Sequence, residues 1–176
     1  MKTTPWYPLC GVAVLLLACS VSASAVEADK NFPGALCESQ FSTERVQIIN
    51  GRIFNRDEFT QSWRCPIVRS IVRTHLVTVE FARITVINRN SRQTLTCRLV
   101  SRTAEGAVLD SDSQSISGGG DSQPTDLVYG AGDVGSVIGA DGGYYSFECG
   151  IPGIDPESGL ASGIVSYRIT ENVGED

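Results

Sequence analysis

Apolar and polar residues alternate with a period of two in several short runs of the chain. In the run 144–149, every second residue up to Cys149 is aromatic or cysteine, and in the run 94–99 every second residue from Leu95 is apolar, with Cys97 in the middle. This period is typical of a strand with one buried face. Cys97 and Cys149 are therefore expected on the inward faces of two strands.

Two other runs carry more detailed signals. The run 46–54 is interrupted by Asn50-Gly51, a pair that favours a tight turn or a bulge. The run 76–87 alternates in its first half and changes phase near residue 81, which predicts a bulge or a bend. The polar segment 88–93 is turn-like, so the strands on either side of it are candidate partners in a hairpin.

Glycine, serine and aspartate dominate residues 105–143. Two weakly apolar islands, 127–129 and 134–138, predict about two or three short strands there, and residues 115–126 are predicted to be a flexible loop. The whole chain is rich in residues that favour strands and turns over helices. We therefore predict an all-β fold, a mostly antiparallel β-sandwich of about seven to nine short strands.

The first 25 residues have the layout of a secretory signal peptide. A basic residue, Lys2, precedes an apolar run, and small residues end at Ala25. The apolar run is about half as long as a transmembrane helix, and no later run comes closer to that length, so no transmembrane segment is expected. The protein is predicted to be exported to a periplasmic or extracellular location.

An alternative for this leader is lipidation of Cys19, which follows a lipobox-like Leu-Leu-Ala. An Ala-x-Ala site just downstream favours cleavage after Ala25 instead. The chain is then predicted to have a flexible arm at 26–36, a single β-sandwich domain at 37–171 and a polar tail at 172–176.

Four cysteines remain after the leader, an even number that predicts pairing in an oxidising compartment. Three connectivities are possible for four cysteines. We predict Cys97 with Cys149, because both lie on inward strand faces, and Cys37 with Cys65, which then joins neighbours in sequence. A zinc site is disfavoured because the chain has no Cys-x-x-Cys pair and only one histidine.

Charge is distributed unevenly along the chain. Residues 30–103 carry a net charge of +7 and residues 104–176 a net charge of −12. The two signs either interleave over the surface or segregate into two faces, and interleaving is the simpler expectation. A nucleic-acid partner is disfavoured, because the total charge is negative and the arginines lack interleaved aromatic residues.

Residues for catalysis are scarce. His75 is the only histidine, no Gly-x-Ser-x-Gly turn is present, and no mature cysteine is left over once both pairs form. We therefore predict no catalytic residues and a protein that is not an enzyme. A glycan hydrolase or lyase that works with two carboxylates is the alternative, since acidic residues are abundant after residue 104.

The acidic loops also permit a calcium hypothesis. Carboxylates next to glycine-rich backbone supply the hard oxygen ligands that calcium takes. No complete EF-hand spacing or repeated calcium motif is present. The candidate ligands are Asp110, Asp112, Asp133 and Asp141.

Several short motifs occur in a fixed order along nearly the whole mature chain. They are Cys37, Gly51-Arg52-Ile53-Phe54-Asn55, Cys65-Pro66, Thr96-Cys97-Arg98-Leu99, the spacing Tyr145-x-x-x-Cys149-x-x-Pro152, and Ser166-Tyr167 with Glu171. In this order they resemble a group of small exported bacterial proteins of unknown function. The resemblance implies a compact β-sandwich with two disulfides and brings no established activity or site residues.

The leading hypothesis is thus an exported, non-enzymatic, disulfide-stabilised β domain that binds a surface, a glycan or another protein. A calcium-binding extracellular module and the carboxylate-dependent hydrolase or lyase are the alternatives. An aromatic-lined concave face would favour glycan binding. The aromatic residues to locate are Trp63, Tyr129, Tyr144 and Tyr167.

Overall fold

The protein is an all-β molecule of two antiparallel sheets. The computed structural model describes residues 26–40, 45–68, 76–119, 122–135, 137–138 and 142–173. Its strands are β1 (Val26–Pro33), β2 (Glu38–Ser39), β3 (Val46–Ile49), β4 (Arg52–Asn55), β5 (Gln61–Pro66), β6 (Leu76–Ile87), β7 (Leu95–Arg102), β8 (Val108–Ile116), β9 (Thr125–Gly130), β10 (Val137–Ile138), β11 (Tyr144–Ile151) and β12 (Gly163–Val173), with a 3-10 turn at Gly34–Leu36.

The two sheets divide the strands unequally. The larger sheet has the order β10-β6-β12-β4-β3, with β1 also paired to β12 and β9 to β6; the smaller sheet has the order β2-β5-β11-β7-β8. All strand pairs in the described residues are antiparallel. The predicted fold class is confirmed. The twelve strands exceed the expected number because several are very short, β2 and β10 having two residues each.

The core lies between the sheets and is built on aromatic residues. The ring of Phe147 lies 5.5 Å from that of Tyr129 and 6.0 Å from that of Tyr167. Both tyrosines belong to the larger sheet, and their hydroxyls donate 2.8 Å hydrogen bonds to the Cys97 and Pro66 carbonyls of the smaller one. Burial raises the pKa of Tyr167 to about 12, as expected for a core phenol.

Both predicted disulfides are confirmed, Cys37 with Cys65 and Cys97 with Cys149. Cys97 and Cys149 are direct cross-strand partners on β7 and β11. Cys37 precedes β2, which pairs with the Cys65 strand β5. The first bond therefore joins β5 to the residue just before β2 and the second joins β7 to β11, and the core faces of Cys97 and Cys149 match the alternation in the sequence.

Two local predictions are also confirmed. Asn50 and Gly51 form the β3–β4 turn with φ angles of 51° and 75°, in the left-handed region that this pair tolerates. On β6 the register against β12 shifts around Glu80. Val79 and Phe81, two residues apart, pair with Glu171 and Thr170, which are adjacent in β12. This bulge explains the change of phase in the run 76–87.

The segment 26–36, expected to be a flexible arm, is instead strand β1 followed by the 3-10 turn. Strand β1 pairs with β12 along its whole length. The Phe32 ring stacks on Tyr167 at 5.0 Å, and Lys30 forms a 2.7 Å ion pair with Glu171. The backbone ladder and these contacts, made by the alternate residues Lys30 and Phe32, hold β1.

The predicted hairpin around residues 88–93 is wrong. Strand β6 belongs to the larger sheet and β7 to the smaller one, so the connection crosses from one sheet to the other. The Asn88 side chain fixes this crossing by donating to the carbonyls of Gln93 and Ile116. A polar connection can thus cross between sheets as readily as it can close a hairpin.

The predicted loop 115–126 is shorter than expected, because β8 continues to Ile116 and β9 begins at Thr125.

Within the described ranges, no helix is long and apolar enough to cross a membrane.

Candidate functional site

Three connections meet at one end of the sandwich. They are residues 56–60 between β4 and β5, residues 88–94 between β6 and β7, and residues 152–162 between β11 and β12. Each is held in place by buried polar side chains, because backbone groups that are removed from water need hydrogen-bond partners.

Asn55 holds the first connection. Its side-chain amide donates to the carbonyls of Phe59 at 2.9 Å, Ile151 at 3.0 Å and Pro152 at 3.2 Å, and its Oδ1 accepts from the Asp57 backbone N–H at 2.9 Å. The connections 56–60 and 152–162 are thereby tied together by one buried side chain.

Asn88, Asn90 and Ser162 form a second buried network. The Ser162 hydroxyl lies 3.2 Å from Asn88 Oδ1 and accepts from the Arg89 N–H at 3.0 Å. The Asn90 amide donates to the Gly153 carbonyl at 3.1 Å. The second and third connections are therefore fixed to each other.

Asp155 is the third anchor and is 1% exposed. Its Oδ2 accepts from the N–H and hydroxyl of Ser91, both at 2.7 Å. Its Oδ1 accepts from the N–H groups of Glu157 and Ser158 and from the Ser158 hydroxyl. The hydrogen bonds from Ser91, followed by those from Ser158, hold the pKa of Asp155 well below its usual range.

These connections enclose a pocket of about 550 Å³. Its volume lies in the range of pockets that take small ligands. We call it the loop-end pocket, and it is lined by Arg45, Glu58, Asn90, Arg92, Gln93, Ile154 and Pro156.

The lining combines planar polar groups with an apolar patch. The Arg92 guanidinium pairs with Glu157 at 2.7 Å, and the Arg45 guanidinium lies 3.8 Å from Glu58. All four of these side chains are well exposed, so the two pairs are weak. The arginines therefore stay accessible to a ligand in the pocket.

An exposed aromatic residue, Phe59, follows a lining residue of the pocket in the chain. Phe59 is 71% exposed and lies in the chain between Glu58, which lines the pocket, and Thr60. The Thr60 hydroxyl donates to Gln93 Oε1 in the pocket wall at 2.8 Å. Hydrophobic burial offers no reason for a phenylalanine in this position.

The sequence alone does not single out this site. Of the aromatic residues named as candidates, Trp63, Tyr129 and Tyr167 are buried in the core and Tyr144 is half-buried on the smaller sheet. His75 lies outside the described residues. The pocket residues come from connections far apart in the sequence, and a phenylalanine in a polar stretch at residues 55–61 is the one local signal for it.

The four calcium candidates occupy different places. Asp110 and Asp112 lie within strand β8, where the sequence suggested an ion-binding loop, and Asp133 follows β9. Asp110 accepts a hydrogen bond from the Gly135 N–H and Asp133 accepts one from the Gly130 N–H. Both carboxylates are therefore bound to backbone groups of the protein. Asp141 falls outside the described residues, and no three His, Cys, Asp or Glu side chains within them are placed to hold a metal ion. Calcium binding stays a prediction.

No protein-family model matches the sequence, and no curated protein matches it. Solved structures with a similar fold include the CBM36-1 domain of a multidomain xylanase from the hindgut metagenome of Trinervitermes trinervoides. That similarity has 9% identity and a TM-score of 0.43, over 84% of this chain and 100% of the other.

Two further structures show similarity of this kind. The isomalto-dextranase of Arthrobacter globiformis T6 complexed with panose has 12% identity and a TM-score of 0.43, over 80% of this chain and 23% of that one. A CBM4 structure has 9% identity and a TM-score of 0.30, over 83% and 86%. Every TM-score lies below 0.5, so the ligand of this chain has to be inferred from its own side chains.

Proposed function

We propose that this protein is an exported, non-enzymatic domain that binds a saccharide in the loop-end pocket. The observation that carries the proposal is a preformed pocket of about 550 Å³ whose three walls are fixed by buried Asn55, Asn90 and Asp155. A pocket that is already rigid avoids much of the entropy that ordering a loop around a ligand would cost. The signal-like leader and the two disulfides support export.

A saccharide suits the chemistry of this pocket. A sugar ring presents C–H groups on its faces and hydroxyls around its edge. Ile154 and Pro156 offer an apolar surface, while Arg45, Arg92 and Gln93 offer planar donors that can bind two neighbouring hydroxyls at once. The exposed ring of Phe59 adds a flat apolar surface against which a second sugar unit can pack.

The lining supports binding over hydrolysis. Glycoside hydrolysis uses two carboxyl groups that flank the scissile bond. Among the lining residues that the structure describes, Glu58 is the one carboxylate, and it is well exposed beside Arg45. The nearby Asp155 carboxylate already accepts five hydrogen bonds from the protein.

The test is a glycan array followed by calorimetry with the oligosaccharides that bind. Replacing Phe59 with alanine and Arg92 with glutamine is expected to weaken binding about tenfold each, the size of one aromatic or charge-assisted contact. Ile48→Ala is the matched control, because Ile48 is exposed on the edge strand β3 and is not among the residues that line the pocket.

Two outcomes would contradict the proposal. One is an array without binding to any glycan, or binding that neither pocket variant weakens. The other is the release of new reducing ends from the bound oligosaccharide, which would favour the carboxylate-dependent hydrolase.

A further inference from the structure

The outer face of the smaller sheet carries a second concavity, centred on Gly150 in strand β11. The direct cross-strand neighbours of Gly150 are Ser62 on β5 and Thr96 on β7. We call this concavity the sheet groove; it measures about 280 Å³ and is lined by Gln40, Ser62, Thr96, Arg98 and Glu148 together with Trp63, Cys149 and Gly150.

The fold does not require glycine at position 150. A Cβ built there would lie 3.7 Å from Thr60 Cγ2 and 4.0 Å from the Thr96 carbonyl oxygen, which are ordinary contacts, and the φ of Gly150 lies outside the left-handed region. At Gly163, by contrast, a Cβ would lie 2.2 Å from the Ile53 carbonyl oxygen. Glycine inside a strand is destabilising relative to alanine. The absent side chain at 150 therefore has another effect, which is to keep the groove open.

One side of the groove is a cluster of three arginines around Glu148. Arg98 binds one oxygen of Glu148 through Nε, at 3.0 Å, and through Nη2. Arg102 and Arg64 bind the other oxygen, Arg64 at 3.2 Å. Burial would raise the pKa of Glu148, but the hydrogen bonds and charges of Arg98 and Arg102 outweigh it and hold the pKa below its usual value. Glu148 is therefore ionised, and both of its oxygens are bound by arginines of the cluster.

The positive charge of the cluster points to solvent. The Glu148 side chain is 8% exposed, whereas those of Arg64 and Arg98 are 44% and 46% exposed. Glu38, which faces Arg64 across β2 and β5, is also exposed. The three arginines therefore leave one net positive charge after the two glutamates are counted, although the total charge of the chain is −6. This local surplus attracts an anionic group against the charge of the molecule as a whole.

Hydroxyl groups form the other side of the groove. Ser62 and Thr96 flank Gly150, and the Thr96 hydroxyl lies 2.8 Å from that of Ser115 on β8. These hydroxyls can form hydrogen bonds with the hydroxyls of a sugar, because each hydroxyl can both donate and accept.

We propose that the sheet groove is a binding site for an anionic saccharide, with a sugar ring over Gly150, its hydroxyls on Ser62 and Thr96, and its acidic group on Arg98. Carboxylate and sulfate groups both match the planar donors of a guanidinium. A neutral sugar has no charged group to pair with the excess positive charge of the arginines. The proposal does not depend on the loop-end pocket, from which the groove is separated by Thr60.

The test measures binding by calorimetry with three tetrasaccharide probes: an oligogalacturonate, a keratan sulfate fragment, whose acidic groups are sulfates alone, and a neutral cello-oligosaccharide. At least one anionic probe is expected to bind about tenfold or more tightly than the neutral one, the size of one charge-assisted contact. The two anionic probes distinguish a carboxylate ligand from a sulfate ligand.

Two variants address the groove, and one serves as a control. Gly150→Thr fills the groove with a residue that suits a strand and is expected to abolish binding while Tm is kept. Arg98→Gln is expected to weaken anionic binding about tenfold. Arg83→Gln removes the same charge from the larger sheet, where Arg83 pairs with Asp126, and is expected to leave binding unchanged.

Several results would overturn the proposal. These are equal affinity for the neutral and anionic probes, no binding of either anionic probe at millimolar concentration, an equal loss in Arg83→Gln and Arg98→Gln, or unchanged binding in a folded Gly150→Thr variant. If Phe59→Ala abolishes anionic binding while Gly150→Thr does not, the ligand occupies the loop-end pocket and the groove proposal alone fails.

Discussion

At the scale of single residues, the shape of the loop-end pocket depends on polar side chains that the sheets and connections bury. Asp155 is the clearest case, because a carboxylate offers two acceptor oxygens and both are used by donors from two different connections. An amide in its place has one acceptor oxygen and an NH₂ group that would face the N–H donors.

We therefore predict that Asp155→Asn lowers Tm by several degrees and also weakens ligand binding in the pocket. Circular dichroism melting curves provide the measurement. Glu157→Gln is the control, because it keeps the backbone N–H that donates to Asp155 and removes an exposed side-chain pair with Arg92, whose loss is expected to cost less than about 1 kcal/mol. Equal Tm values for the wild type and Asp155→Asn would show that the anchor is dispensable.

The depressed pKa of Asp155 gives the same prediction a pH dependence. A carboxylate whose pKa is lower in the folded than in the unfolded state stabilises the fold above the unfolded pKa, about 3.9, and this stabilisation is lost as the pH falls through the folded pKa. The wild type should therefore lose stability below about pH 4 more steeply than Asp155→Asn does. Parallel acid-unfolding curves of the two proteins would contradict this assignment.

At the scale of strands, glycines at two positions have opposite meanings. Gly163 begins β12 where it pairs with β4, and any Cβ there would meet the Ile53 carbonyl. We predict that Gly163→Ala lowers the free energy of unfolding by about 3 kcal/mol, because a methyl group has to be forced into a closed ladder. Urea unfolding measures the change. Gly150→Ala is the matched control, and it should be neutral or slightly stabilising.

The disulfides act on the smaller sheet, where one joins β7 to β11 and the other joins β5 to the residue that precedes β2. Cys37 and Cys65 are separated by 28 residues and Cys97 and Cys149 by 52. From the entropy of the closed loops, replacing a pair by alanine is expected to cost about 3.5 kcal/mol for the first and about 4 kcal/mol for the second. Urea unfolding of the two double variants tests this. If either variant kept the wild-type free energy of unfolding, the corresponding bond would not stabilise the sheet.

The sequence predicts best the strands with one buried face. Strands β7 and β11 alternate because one side meets the core, and this alternation also identified the Cys97–Cys149 pair. Strand β8 was missed because the stretch Asp110–Gln114 has no apolar residue, and its pairing with β7 is made by the backbone. Strand β1 was missed because Lys30 interrupts the alternation of Val26, Ala28 and Phe32 in its sequence. Side-chain patterns do not report pairing at a sheet edge.

The candidate sites are hidden from the sequence for a different reason. The loop-end pocket assembles three connections, and the sheet groove assembles three strands and Gln40, so the residues of each are close only after folding. A single chain shows neither the register that places Glu148 between Arg64 and Arg98 nor the ordinary environment of Gly150. The polar residues of both sites look in the sequence like any solvent-exposed surface.

At the scale of the whole molecule, the two oppositely charged parts of the chain interleave. Strands from 104–176 lie between strands from 30–103 in both sheets. The described ion pairs that join a basic residue of the first part to an acidic residue of the second are Lys30–Glu171, Arg64–Glu148, Arg83–Asp126, Arg92–Glu157, Arg98–Glu148 and Arg102–Glu148. In the described residues the charge asymmetry is therefore compensated by pairing across the two parts.

This interleaving predicts what a single cut would do. A protease site inserted between Gly119 and Ser122, in the β8–β9 connection, should leave a nicked protein with a Tm close to that of the intact one. The β6–β12 and β7–β11 ladders and the Cys97–Cys149 bond all join the two fragments. The fragments should separate on a denaturing gel only after reduction.

A cut in another connection is the control. A site inserted between Asn90 and Ser91 interrupts the loop that donates to Asp155, so its cleavage should lower Tm clearly. Fragments of the first nicked protein that separate without reductant, or equal Tm losses for both cuts, would contradict the interleaved topology.

Strand β12 pairs with β1, β4 and β6, although it is the last strand of the described chain. A ribosome makes its 11 residues after every strand that depends on them. A nascent chain that stops before residue 163 therefore leaves β1 without a partner and exposes open edges on β4 and β6, where other chains can pair. The larger sheet can be completed only after residues 163–173 have been synthesised, and a chain interrupted before them is exposed to proteases and to aggregation as an unfolded chain is.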